Sequence, residues 1–151
     1  MAGESYLVDK NVLLRLADAA SLQHGVVTRA LAVLTSAGSP LYVTAQNLIE
    51  FWAVATRPQS RNGFGLAPAQ ADARIGLILT QFDLLSDRPE IFLLWRILVR
   101  SVGVSGTQVH DARLVAVMQA HTIDHILTFN GADFARYMQP AGIVVVDPAS
   151  I

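Results

Sequence analysis

The feature that most constrains this chain is the alternation of very short, continuously apolar runs with longer amphipathic stretches. Tyr6-Leu7-Val8, Leu41-Tyr42-Val43, Ile126-Leu127 and the run from Ile143 to Val146 carry no charge on either face. A strand that is apolar on both sides must be covered on both sides, and parallel strands need crossover connections of the kind that amphipathic helices supply. The expected class is therefore α/β, a three-layer α/β/α sandwich with a central parallel sheet. No repeat, low-complexity tract or linker interrupts the pattern, and 151 residues suit one domain spanning 1–151.

Local signals place the elements. Asn11 is a plausible N-cap for a helix through Leu16, and Gly38, Ser39 and Pro40 suit the stop of a second helix over 22–37. Thr44 can cap a long helix over 45–56 that must end by Arg57, because Pro58 disfavours helical geometry in the residue before it. The glycine-containing stretch 59–66 reads as a mobile loop, and Pro68 opens a helix reaching Thr80. A strand over 82–85, a helix from Pro89 through Val102, a break at 103–106 and a helix over about 109–121 follow. The spacing then predicts a strand over 126–128, a helical turn over 133–137 and a final strand over 143–146.

Composition excludes several function classes. The chain is 52% hydrophobic and only 15% charged, against roughly a quarter charged in an average soluble domain, so disorder is excluded. Its longest apolar stretch, 91–104, is interrupted by Arg96 and Arg100, and the amino terminus lacks a basic leader, so a cytoplasmic protein without a membrane segment is expected. With no cysteine there is no thiolate nucleophile or thiolate metal site. Surfaces this apolar predict a homodimer, and a partner that lays an amphipathic helix into a groove.

In parallel sheets, ligands bind outside the carboxyl ends of the strands. Asp9 follows the first strand, Asp111 begins a helix, and Asp133 follows the strand ending near Thr128, while Glu50 sits on a helix whose neighbours Leu48, Ile49, Phe51, Trp52 and Val54 are apolar nearly all round. Each aspartate has a plain structural use as well: Asp9 and Asp133 as caps, Asp111 against a helix dipole. Glu50 is costly in such surroundings unless paired or bound to a metal. Oxygen-only donors of this kind suit a hard divalent ion, Mg²⁺ or Mn²⁺. An aspartyl-phosphate mechanism is disfavoured because positions 10 and 11 are lysine and asparagine, which breaks an Asp-x-Asp pattern. Dinucleotide binding lacks its Gly-x-Gly-x-x-Gly.

Four segments together resemble a known family. YLVDKNVLLRL from Tyr6 looks like the opening strand, acid and helix of PIN domains, as in VapC-type toxins. NLIEFWAVATRP from Asn47 is similar to the helix bearing their second acid, HDARLVA from His110 to the third-acid helix, and TFNGADF from Thr128 to the final segment. The resemblance runs in order from Tyr6 to Pro148. It implies a metal-dependent endoribonuclease in which Asp9, Glu50, Asp111 and Asp133 hold one or two Mg²⁺ or Mn²⁺ ions, with Asn11 and Asn130 in support. It also implies an RNA substrate, products with 5′-phosphate and 3′-hydroxyl ends, and an antitoxin partner in a VapBC-type pair.

The chain departs from that family at Lys10, where threonine or serine is usual. Folded inward, the ammonium is expected to pair with Asp9 or Asp133, compete with a metal and depress activity; folded outward, it meets a substrate phosphate or simply snorkels to solvent. The alternative function is accordingly an RNA-binding or regulatory PIN domain that turns over weakly or not at all. Arg57 and Arg61 are candidates for a small phosphate-contacting patch, and Arg113 either touches substrate or pairs with a nearby carboxylate. His110 is a candidate proton carrier, while His121 and His125 have the spacing of a zinc pair but fall across a helix-to-strand transition. Phe51, Trp52, Phe92 and Trp95 are expected in the core or a dimer interface. Net charge is −1, yet setting aside four acids in one pocket leaves 11 basic against 8 acidic residues outside it, a mildly basic surface around an acidic hole.

Overall fold

A computed structural model describes residues 3–151. Its centre is a five-stranded, wholly parallel sheet in the order β3-β2-β1-β4-β5, with β1 (Tyr6–Val8), β2 (Leu41–Thr44), β3 (Asp83–Leu85), β4 (His125–Leu127) and β5 (Val144–Val146). The crossovers are α1 (Lys10–Ala17) and α2 (His24–Ser36), α3 (Ala45–Thr56) and α4 (Pro68–Gln81), α5 (Glu90–Val102) and α6 (Val109–Ala120), then α7 (Gly131–Phe134) and α8 (Met138–Ala141). Tyr6 pairs with Leu41 on one side and His125 on the other, so β1 is the central strand and the chain reverses direction of travel there.

Successive residues of β1 feed two cores. Tyr6 and Val8, with Val43 and Leu127, pack under α1 to α4, while Leu7 and Ile126 pack under α5 and α6 with Phe134 and Tyr137. Coverage of both faces holds for β1 and β4, which are buried throughout. It fails at the sheet edges: Asp83 and Leu84 of β3 and Val144 of β5 are exposed, because an edge strand has only one neighbour.

Several local expectations are corrected. Asp9, not Asn11, is the N-cap of α1, in extended geometry with its side chain accepting from the Lys10 amide. Strand β4 begins one residue early, at His125, because that residue pairs with both Tyr6 and Val144. Stretch 59–66 is not loose: the amides of Phe64, Gly65 and Leu66 donate back to Val54, Arg57 and Ala55, and a Cβ at Gly63 would overlap the Arg57 carbonyl. Helix α3 is closed at its start by a reciprocal capping box between Thr44 and Asn47, and its apolar surface is not covered all round, since Ile49 is 69% exposed. Among the described residues, no helix is long and apolar enough to cross a membrane.

Candidate active site

The order of the strands creates a crevice where β1 and β4 leave the sheet side by side, and the chain places Asp9 there. Asp9 is only 5% exposed, a cost that its hydrogen bonds offset. Its Oδ1 accepts from the Lys10 amide at 2.8 Å, and its Oδ2 accepts from the Thr128 hydroxyl at 2.9 Å and from Asn11 Nδ2 at 3.3 Å. Thr128 is itself saturated, accepting from Asn11 Nδ2 and from the Asn130 amide, both at 3.0 Å. Asn11 closes the ring by accepting from the Phe129 amide at 3.2 Å. Burial pushes Asp9 above the ordinary aspartate range; the Thr128 bond, the Lys10 amide and the Lys10 charge pull it back, and Glu50 adds to the rise.

The other predicted acids come to the same cleft from three further elements. Asp111 is in the first turn of α6, Asp133 in α7, and Glu50 on α3; together with Asp9, Lys10, Thr107, His110, Asn130 and Phe134 they line an open cavity of about 480 Å³. Asp133 does not cap its helix, whose N-cap position is Asn130, with no side-chain bond. Asp111 is pushed up to about 6, by burial first and then by the charges of Asp9, Asp133 and Glu50, with Lys10 opposing. The carboxylates thus feel one another.

Lys10 folds inward, but onto neither of the expected partners. Its Nζ bonds Glu50 Oε2 at 2.8 Å, with the lysine side chain 39% exposed. The same Glu50 accepts on Oε1 from Gln46 at 3.0 Å. Glu50 therefore meets its burial by pairing, as its position demands, and its side chain stays 27% exposed.

The donor set suits a hard divalent ion in kind, being carboxylate oxygen alone, and in charge, since a cation would relieve the crowding that raises Asp111. Among the described residues, however, no three carboxylate or imidazole groups already stand as a ready ligand cage.

One residue that supports the site was not singled out by the sequence. Thr128, the residue just past β4 that opens the TFNGADF segment, donates its hydroxyl to Asp9 Oδ2; the motif was legible, but the residue's contact with Asp9 was not. In the core behind the cleft, Tyr137 is fully buried with its hydroxyl unpartnered, and burial raises its pKa, Arg136 opposing and Asp111 adding to the rise.

Other candidates lie elsewhere. Arg57 ends α3 and Arg61 sits in the short turn beyond, and neither lines the acidic cleft. Arg113 pairs with Asp87 at 3.0 Å and reaches Gln46 Oε1 at 3.3 Å, which places it with a carboxylate. His110 lines the cleft with an exposed side chain. His121 bonds the Ser86 carbonyl, whereas His125 lies between Asp124 and Glu4, so the two imidazoles form no joint site. Phe51 is in the core, while Phe92 is 61% exposed and stacked on Trp95.

Carboxylates from four separate elements, gathered where a parallel sheet reverses its winding, define an acidic-cleft α/β protein. The PIN domain family model matches residues 6–138, and the chain belongs to that family. No curated protein matches the sequence significantly. Among solved structures, the chain is similar to VapBC2 from Rickettsia felis bound to a DNA fragment from its promoter, with a TM-score of 0.71 and 12% identity over 95% of this chain and 98% of that one. It is also similar to VapBC-1 from nontypeable Haemophilus influenzae, with a TM-score of 0.69 and 16% identity over 95% and 98%. VapC20 from Mycobacterium tuberculosis, described as a Sarcin-Ricin loop cleaving toxin, aligns with a TM-score of 0.66 and 22% identity over 92% and 96%. At these identities the likeness establishes the fold.

Proposed function

We propose that this chain is a metal-dependent endoribonuclease and the toxin of a VapBC-type toxin–antitoxin pair. The observation that carries this reading is the convergence of Asp9, Glu50, Asp111 and Asp133 on one cleft in a PIN-family chain. These four would hold Mg²⁺ or Mn²⁺, with Asn11 and Asn130 in support. When bound, the metal lowers the pKa of a water and neutralises charge that develops at phosphorus and the leaving oxygen. The protein's own part is positional. Thr128 and Asn11 hold Asp9 Oδ2 in one orientation, and the Lys10 amide holds Oδ1. Asp111, raised to about 6 by burial and by the neighbouring carboxylates, is an acid whose ionised form a bound cation would favour. No side-chain nucleophile is required of the protein.

An RNA substrate in the cytoplasm and a single functional domain over 1–151 belong to the same reading. So do a homodimer and an antitoxin, which the apolar surface supports: Leu48, Ile49, Trp52, Ala53 and Ile75 line an open groove of about 370 Å³ on α3 and α4. The decisive experiment incubates purified protein with structured RNA and Mn²⁺, beside Asp9→Asn and Asp111→Asn. Metal-dependent cleavage lost in both variants is expected; cleavage that survives both would sink the assignment.

A second reading has one observation in its favour. The Lys10–Glu50 pair at 2.8 Å engages one of the four acids with a fixed cation. If wild type binds RNA without cutting it, the chain is an RNA-binding or regulatory PIN domain.

A further inference from the structure

Glu50 differs from the other acids of the cleft in having a charged partner on one oxygen and an amide donor on the other. Its Oε2 is bonded by Lys10 Nζ at 2.8 Å and its Oε1 by Gln46 Nε2 at 3.0 Å. Gln46 is anchored in turn. Its Nε2 also donates to the His110 carbonyl at 2.8 Å, and its Oε1 accepts from Arg113, which Asp87 holds at 3.0 Å. Glu50 is thus pinned from both sides to the cleft wall. Lys10 starts α1 directly after Asp9, so one residue ties two acids: its amide bonds Asp9 and its ammonium bonds Glu50. Among the described residues lining the cleft, it carries the one fixed positive charge.

We propose that Lys10 is a resident cation of the cleft, standing beside Glu50 in place of a second divalent ion, so that the site takes a single Mg²⁺ or Mn²⁺ on the side of Asp9, Asp111 and Asp133. The inference rests on the metal-site reading above, gives it a stoichiometry, and narrows its ligand set by assigning Glu50 to Lys10. A second dication brought against Glu50 would face an ammonium already bonded to the same carboxylate, and like charges at that separation repel strongly in a partly desolvated cleft. Lysine holds the position as a compact charge on a flexible stem, which reaches from α1 across to α3. The same contact gives the metal-free cleft a cation of its own. Its loss leaves the acids with less compensation.

The test compares wild type, Lys10→Met and Lys10→Arg by Mn²⁺ titration calorimetry and by melting in chelator. Wild type is expected to bind one Mn²⁺. Lys10→Met should bind a second ion, or the first about tenfold tighter, and should melt below wild type in chelator and gain more from Mn²⁺. Lys10→Arg should follow wild type. Two ions in wild type, or unchanged stoichiometry and affinity in Lys10→Met, would overturn the proposal while leaving the metal site standing. If Mn²⁺ binding is indifferent to Asp9→Asn and Asp111→Asn, the metal site itself is wrong and the proposal falls with it.

Discussion

Strands β1 and β4 carry an ionisable cluster at each end, and the two clusters are built on opposite principles. At the amino end, His125 lies between two carboxylates, its Nδ1 2.8 Å from Asp124 and its Nε2 3.1 Å from Glu4, with the Tyr6 ring 5.0 Å away and its hydroxyl donating to Glu4. Each imidazole nitrogen faces a carboxylate oxygen, and the flanking carboxylates are largely solvated, so water shares in balancing their charge. At the carboxyl end, four acids share one ammonium. Burial and mutual repulsion raise Asp9 and Asp111, an imbalance that the protein itself does not remove. The difference teaches that a count of charged residues does not mark a site; an uncompensated charge held in place by neutral hydrogen bonds does.

The sharpest way to break the comparison is to remove charge at each end and measure both cleavage and stability. Asp9→Asn should reduce RNA cleavage by more than about 100-fold, beyond the roughly 10–100-fold typical of losing a residue that only orients a ligand. Thr128→Val, which keeps the shape and deletes the hydroxyl on Asp9, should fall within that 10–100-fold range in cleavage rate or Mn²⁺ affinity. A Thr128→Val enzyme with wild-type rate and affinity would show that Asp9 needs no such support.

At the opposite end, His125→Gln should cost about 1 kcal/mol of stability in urea unfolding, since its partners are exposed. Cleavage by that variant should match wild type. Loss of activity there would erase the distinction between the two clusters.

The smallest effect concerns the charge at Asp111. Its folded-state value of about 6 lies above the ordinary 3.8, so between those pH values the folded protein retains a proton that the unfolded chain releases. Stability in chelator should therefore fall as pH rises through that window. Asp111→Asn should melt above wild type near pH 7, and the gain should vanish toward pH 4. A gain that persists at pH 4 would assign it to something other than the carboxylate.

Much of the architecture was legible because it follows from local rules. Apolar runs too short for helices, flanked by amphipathic stretches, admit few arrangements besides a covered parallel sheet; Pro58, Pro68 and Gly103 mark boundaries by backbone geometry, and Thr44 by its capping hydroxyl. The acids were legible for a related reason, as polar residues placed where strands end. What escaped was contact between distant segments. Thr128 meets Asp9 across a separation of 119 residues, and nothing near either one announces the other. Nor did the nearly all-round apolar character of α3 tell that one side of it faces outward at Ile49, because hydrophobicity reports what a side chain prefers and not which neighbour covers it.

Lys10 shows the division most directly. The sequence by itself determined that a lone lysine follows the first acid, that its stem is long enough to turn inward, and that the site is made of oxygen donors. Only the tertiary structure decided that the ammonium bonds Glu50 and makes no ion pair with Asp9 or Asp133. The reason is physical: strand order and crossover set where α3 lies relative to α1, and an ion pair forms with whichever carboxylate that placement brings within reach of the stem.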